Sequence, residues 1–144
     1  MLSSADEIRA VLNIGAVGVD NAVVFHTDPM QWNVLDWMRA INNESDVTSF
    51  NGQQADVTGF VYRNESFPDG HFMVVRFVIS CCVADATPVG LPVYWPEGAD
   101  LTSDTWVQVE GAFEVGQFAN DLVPILHAEA VTVIPQPDHP YLYP

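Results

Sequence analysis

Lysine is absent from this chain of 144 residues, and four arginines stand against 19 aspartates and glutamates, for a formal net charge of −15. A nucleic-acid partner needs cations to displace the counterions condensed on its phosphates, and anionic lipid headgroups repel a domain of this sign. Nucleic acid and direct lipid binding are therefore disfavoured, and the acidity reads first as solubility. No run approaches the ~20 apolar residues that cross a bilayer, and no basic segment followed by an apolar one opens the chain, so a soluble chain is expected. Cysteine is confined to the adjacent pair Cys81 and Cys82. Adjacent cysteines close a disulfide only through a strained ring, and a tetrahedral zinc site uses cysteines roughly two to four residues apart. Also missing are a Gly-x-Ser-x-Gly elbow, a Walker loop, a dinucleotide fingerprint and a His-Glu-x-x-His sequence. No catalytic residue is assigned, and the chain is not expected to be an enzyme.

What is present suits one folded domain, with 49% hydrophobic and 16% charged residues. Residues 1–24 read as an N-terminal extension, with a short helix expected from Ser3 or Ser4 to Leu12. The domain proper is 25–144. At Thr27-Asp28-Pro29 a capping side chain precedes a proline suited to a first helical turn, and Trp32, Leu35, Met38 and Ile41 follow at helical spacing, predicting an amphipathic helix over 29–41. Asn42 and Asn43 end it, and its apolar face is core.

After Gly52 the period shortens and strands are expected between 56 and 134. Asp56 to Tyr62 and Phe72 to Ile79 form a hairpin around Pro68-Asp69-Gly70, which supplies a proline for the first turn position and a glycine for a positive φ. The second strand is nearly all apolar, hence covered on both faces, and Arg76 within it needs a partner. Gly90 to Trp95 is a third strand that Pro92 restricts to an edge or a bulge. In the fourth, Val107, Val109, Gly111, Phe113 and Val115 alternate with Gln108, Glu110 and Glu114. His127 to Ile134 is the fifth, and Pro135, Pro137, Pro140 and Pro144 then favour an extended tail without regular structure. Five short strands with glycines at Gly59 and Gly111 as bend points predict a mostly β, OB-like five-stranded Greek-key barrel with an added N-terminal helical segment. Little room remains for a helix between the third and fourth strands, so 29–41 is expected to close the barrel.

The most unusual local feature is Ser80-Cys81-Cys82-Val83-Ala84-Asp85-Ala86. One reading makes it a metal site in which Cys81 or Cys82, with Asp85 and His71 or His127, holds zinc or another thiophilic ion. The alternative makes the thiols core filler and Asp85 a turn residue whose carboxylate caps backbone N–H groups. Arg76 and Asp85 are expected to form a buried or turn-fixing pair, with Gly59, Gly111 and Trp95 as further structural or docking residues. Phe60, Tyr62, Phe72, Tyr94 and Trp95 lie where an OB face would stack nucleobases, a reading the net charge opposes.

The strings Gly59-Phe-Val-Tyr-Arg63, Arg76-Phe-Val-Ile-Ser-Cys-Cys82, Ala84-Asp-Ala86, Pro88-Val-Gly-Leu-Pro-Val93 and Pro140-Tyr-Leu-Tyr-Pro144 resemble the bacterial YcgQ-like family from about Phe25 onward. Its members look like an N-terminal membrane-spanning part followed by a soluble C-terminal domain of unknown function, typically encoded beside a permease, and are described as a two-component membrane permease complex subunit. The resemblance implies that this chain is the soluble part of a bacterial membrane protein. A membrane permease subunit would be the partner, and this domain would serve docking, regulation or ion handover. It implies no catalytic residues.

Overall fold

A computed structural model describes residues 28–81, 83–98, 101–118 and 120–144. The helix expected near Ser3 to Leu12 lies outside the described residues.

The expected helix over 29–41 divides in two. Asp28 caps a 3-10 turn, Pro29–Gln31, by accepting from the Met30 N–H. The chain is extended at Trp32 and Asn33, and α1 begins only at Val34 and ends at Asn43. The break has a local cause: Asn33 accepts from the Asp36 N–H while Asp36 accepts from the Asn33 N–H, a capping box that starts a new helix. Trp37 and Met38 are buried in α1, with Trp37 packed edge-on to Trp32 and tilted against Phe113 of the barrel.

The strands are β1 (Gln54–Tyr62), β2 (His71–Val78), β3 (Thr87–Tyr94), β4 (Trp106–Phe118), β5 (Asp121–Val133) and β6 (Tyr141–Leu142). The first five close into a barrel: β1, β2 and β3 run as an antiparallel meander, β3 lies parallel to β5, and β4 pairs antiparallel with both β5 and β1. This is the OB connectivity. Between β3 and β4 there is a 3-10 turn, Pro96–Gly98, among the described residues. The end-closing helix is α1, whose Val34, Leu35, Trp37 and Met38 join the barrel core with Phe72, Val74, Leu91, Val107, Val109 and Leu126.

Alternation along β2 explains why nearly all of it is apolar. Phe72, Val74 and Val78 face the main core, whereas Met73 and Val75 face a second cluster with Phe67, Phe118 and Ile125. The far half of the β4–β5 hairpin therefore lies as an arm over the outer face of β2. A bulge between Glu110 and Gly111 turns that arm, and β5 starts at Asp121, ahead of the His127 expected from periodicity. The hairpin turn before β2 has Gly70 at φ 79, with the His71 N–H donating to the Pro68 carbonyl.

Two expectations need correction. Pro92 does not place β3 at an edge, because β3 sits between β2 and β5. The Trp95 N–H donates to Gly70, so by alternation the odd-numbered residues of β3 address β2. The nitrogens of Pro88 and Pro92 then point towards β5, whose pairing with β3 starts only at Val93. Nor is the proline-rich tail without regular structure: Tyr141–Leu142 pairs in parallel with Phe77 and Val78 as β6, and the Ile79 N–H donates to Leu142.

Candidate functional site

After β2 the chain makes a tight loop closed by one carboxylate. Asp85 accepts from the Ser80 N–H at 3.1 Å, the Ser80 hydroxyl at 2.7 Å, the Cys81 N–H at 3.1 Å and the Cys81 thiol at 3.0 Å. These donors favour the ionised form and hold the Asp85 carboxyl well below the usual carboxylate range, the Cys81 and Ser80 side chains contributing most. Such a depressed group contributes stability above the unfolded carboxyl pKa of about 3.9 and loses it as pH falls from there towards the folded value. Asp85→Asn should therefore lower the urea midpoint near neutral pH, with a gap to the native protein that shrinks below about pH 4. A gap of constant size in denaturation curves recorded across this range would contradict the ionised-acceptor role.

Cys81 and Asp85 are thus brought together at the surface, while Cys82 lies outside the described residues. His71 is not brought to them. It starts β2 and the loop follows its end, so at about 3.3 Å per residue the two are separated by roughly 23 Å of strand. His71 instead packs its ring against Tyr94 at 4.8 Å, and His127 packs on Tyr94 at 5.2 Å with Glu114 at 3.9 Å. Among the described residues no three His, Cys, Asp or Glu side chains gather to hold a metal ion.

The expected Arg76–Asp85 pair is not formed, because each group is engaged elsewhere. Arg76 is 7% exposed and donates to three main-chain carbonyls: Thr58 of β1 at 3.3 Å, His139 at 3.2 Å and Pro140 at 3.1 Å. Its guanidinium also lies over the Trp106 ring at 5.4 Å. The location explains the arrangement: β1 and β2 pair only from Phe60 opposite Val75 to Tyr62 opposite Met73, and beyond Val75 the strand turns to β6. Arg76 fills the gap where the two strands part and ties the tail into it. Burial lowers its pKa, but a guanidinium keeps its proton in proteins, so the group is cationic.

Gly59 sits at the same parting, where an added Cβ would fall 2.7 Å from the Val75 carbonyl oxygen. Gly111 occupies the bulge, where a Cβ would come 2.1 Å from the His127 carbonyl oxygen. Trp95 packs against the main core, next to a Gly98 whose Cβ would strike its ring at 2.2 Å. Of the other aromatics considered for base stacking, Phe72 is fully buried, Tyr62 meets Phe67 edge-on at 5.7 Å, and Tyr62 and Tyr94 both pack on the cluster under the β4–β5 arm. That face is largely occupied by the chain itself. Phe77, Asp104 and Trp106, which sequence reasoning did not single out, line a separate open groove with Phe60 and the tail. Their only sequence signal is the cross-strand pairing of Phe60 with Trp106, visible once the register is known.

No helix among the described residues is long and apolar enough to cross a membrane. The chain is 30% identical over 96 residues to the UPF0703 protein YcgQ of Bacillus subtilis, covering 65% of this chain and 34% of that protein. It is 31% identical over 96 residues to a putative two-component membrane permease complex subunit of Streptococcus mutans, covering 65% and 35%. It thus spans about a third of the length of these curated relatives. Among solved structures, the N-terminal domain of the PriB protein from Thermoanaerobacter tencongensis aligns over 57% of this chain and 96% of its own, with 16% identity and a TM-score of 0.38. A DUF3299 family protein from Pseudomonas aeruginosa PAO1 aligns over 67% and 70%, with 17% identity and a TM-score of 0.37. The family model described as the DUF1980 C-terminal domain matches residues 28–144, and the chain belongs to that family.

Proposed function

We propose that this barrel is a noncatalytic docking domain of a bacterial membrane permease complex subunit, acting on its partner through protein contact. The observation that carries the reading is the relative from Streptococcus mutans, named as such a subunit, whose alignment covers 65% of this chain. The fold supports it. The outer face of β2 at Met73 and Val75, part of the surface an OB barrel commonly offers to ligands, is covered by the β4–β5 arm through Phe118 and Ile125, leaving loops, tail and the groove at Phe77 as the accessible relief. The test is co-expression of the full-length protein carrying this domain with the permease, followed by affinity purification in detergent. Co-purification should be stoichiometric and should be lost when residues 28–144 are deleted. Undiminished co-purification of the deleted form would overturn docking.

A second reading, metal handling by Cys81, Cys82 and Asp85, is favoured by the 3.0 Å approach of the Cys81 thiol to the Asp85 carboxylate at the surface. Native mass spectrometry of the reduced domain with zinc or copper(I), repeated on Cys81→Ser and Cys82→Ser, tests it: a stoichiometric adduct lost in one variant supports it, and no specific adduct refutes it.

A further inference from the structure

On the side of the barrel where β1 parts from β2 lies an open groove of about 360 Å³, walled by Phe60, Phe77, Trp106, Tyr141 and Pro140, with Asp104 among its lining residues. Phe60 and Phe77 are stacked with centroids 5.6 Å apart and planes 28° from parallel, and Trp106 meets Phe60 edge-on at 5.6 Å. Phe77 is 37% exposed, so part of its ring is open to the groove. The groove is a built feature, because the tail that forms one wall is held there by β6 and by the bonds from Arg76 to His139 and Pro140.

Three observations point to one ligand chemistry. Aromatic faces carry negative potential and attract organic cations. The one carboxylate lining the groove, Asp104, is exposed and is held in a turn at φ 74, a left-handed position that aspartate tolerates, by the bond from its N–H to the Val61 carbonyl. The chain as a whole carries −15, so its field favours positive ligands. The nearby Arg76 covers the Trp106 ring at 5.4 Å but leaves the partly exposed Phe77 ring and Asp104 without a cation from within the groove lining. It is buried, is not among the lining residues, and directs its N–H groups to the carbonyls of Thr58, His139 and Pro140.

We propose that this groove receives an arginine side chain of the partner polypeptide, its guanidinium lying on the aromatic wall and paired with Asp104. A guanidinium suits the site better than an ammonium, because it is planar, stacks on rings and is weakly hydrated. A second copy of this chain is a poor source, having no lysine, four arginines and the same strong negative charge. Short loops on one side of a membrane protein are by contrast rich in basic residues. The inference deepens the docking role and takes the identity of the partner from it, while the chemistry of the groove stands on its own residues.

The test uses the 144-residue chain and a short blocked peptide, acetyl-Gly-Arg-Gly-amide, followed by NMR at the indole N–H groups. The expected result is a saturable shift at Trp106 with little at Trp95, and at least tenfold weaker binding of the counterpart in which neutral citrulline replaces arginine. Asp104→Asn should weaken binding by about fivefold, the scale of one exposed ion pair. Phe77→Ala should weaken it by roughly fivefold as well, through loss of a ring face. Asp104→Gly removes the charge while relieving the backbone, so it should match Asp104→Asn in binding yet melt no lower than the native protein. Equal response to arginine and citrulline, a shift centred on Trp95, or unchanged affinity in Asp104→Asn overturns the proposal. So does tighter binding of tetramethylammonium than of the peptide, which would assign the groove to a free small cation. Because no permease is present, a null titration with intact co-purification rejects the groove alone, and a positive titration with co-purification indifferent to domain deletion rejects the docking role alone.

Discussion

Arg76→Ala should lower the unfolding free energy by roughly 3 kcal/mol, because a buried side chain is lost, three part-buried carbonyls lose a charged donor at once, and each such bond contributes about 1.5–3 kcal/mol without simple additivity. The atoms concerned are the carbonyl oxygens of Thr58, His139 and Pro140, which belong to two segments, β1 and the tail, that this side chain bridges. The loss should therefore have a second signature beyond the denaturation midpoint. With the guanidinium gone, β6 should detach, and the Ile79 amide, bonded to the Leu142 carbonyl, should exchange with solvent faster. Arg76→Lys should recover only part of the stability, since an ammonium is a point charge and cannot reach three divergent carbonyls with the geometry of a planar fork. A loss below about 0.5 kcal/mol in urea denaturation, with Ile79 still protected, would mean that water replaces the guanidinium without cost.

Gly111→Ala should be at least as damaging, at roughly 3 kcal/mol or more, the upper part of the range for overpacking. An added methyl would lie 2.1 Å from the His127 carbonyl oxygen, 2.8 Å from its carbon and 2.9 Å from the Ala128 Cα, all backbone of β5. Nothing there can rotate away, so relief requires β5 to move or the bulge between Glu110 and Gly111 to be lost. Gly116→Ala in the same strand is the control. Its methyl would meet only the Ile125 Cδ1 at 3.1 Å, the end of a flexible side chain, and its cost should stay under about 1 kcal/mol. Thermal and urea denaturation of the two variants side by side decide the matter: equal stabilities would show that β5 yields freely, and Gly111 would then not be a fixed bend point.

The barrel was legible because its strands carry their own signals. Val107, Val109 and Phe113 alternate with polar neighbours, and their buried face is the one expected. The largely apolar β2 is covered on both sides from Phe72 to Val75 as its composition demanded, and the Pro68-Asp69-Gly70 turn has the conformation its residues favour. What was missed is non-local. The first half of β5, interrupted by Pro124, has no clean period and becomes a strand because Phe118 and Ile125 find Met73 and Val75 to cover. The tail strand exists through pairing with β2, which proline content gives no reason to expect. Arg76 was recognised as needing a partner, but its partners are carbonyl oxygens, which every residue possesses and no side-chain identity marks. For the candidate site the limit is similar: Cys81 and Asp85 are close in sequence and their contact is local, whereas Phe60, Phe77 and Trp106 come from three strands and meet only through register.

The unequal lengths of the strand pairings give the barrel a preferred line of opening. Pairing between β4 and β5 runs from Val107 opposite Val133 to Phe118 opposite Asp121, and that between β2 and β3 extends over the whole of both strands. By contrast β3 meets β5 only at Val93 with Leu126 and Tyr94 with His127, and β1 meets β2 only from Phe60 to Tyr62. The molecule is thus a pair of half-shells, β2–β3 and β1–β4–β5, hinged along two narrow seams. Pulled apart or slowly exchanging, it would part there first, and the bond from Arg76 to the Thr58 carbonyl crosses one of those seams from outside the ladder while its other two bonds brace the tail against it.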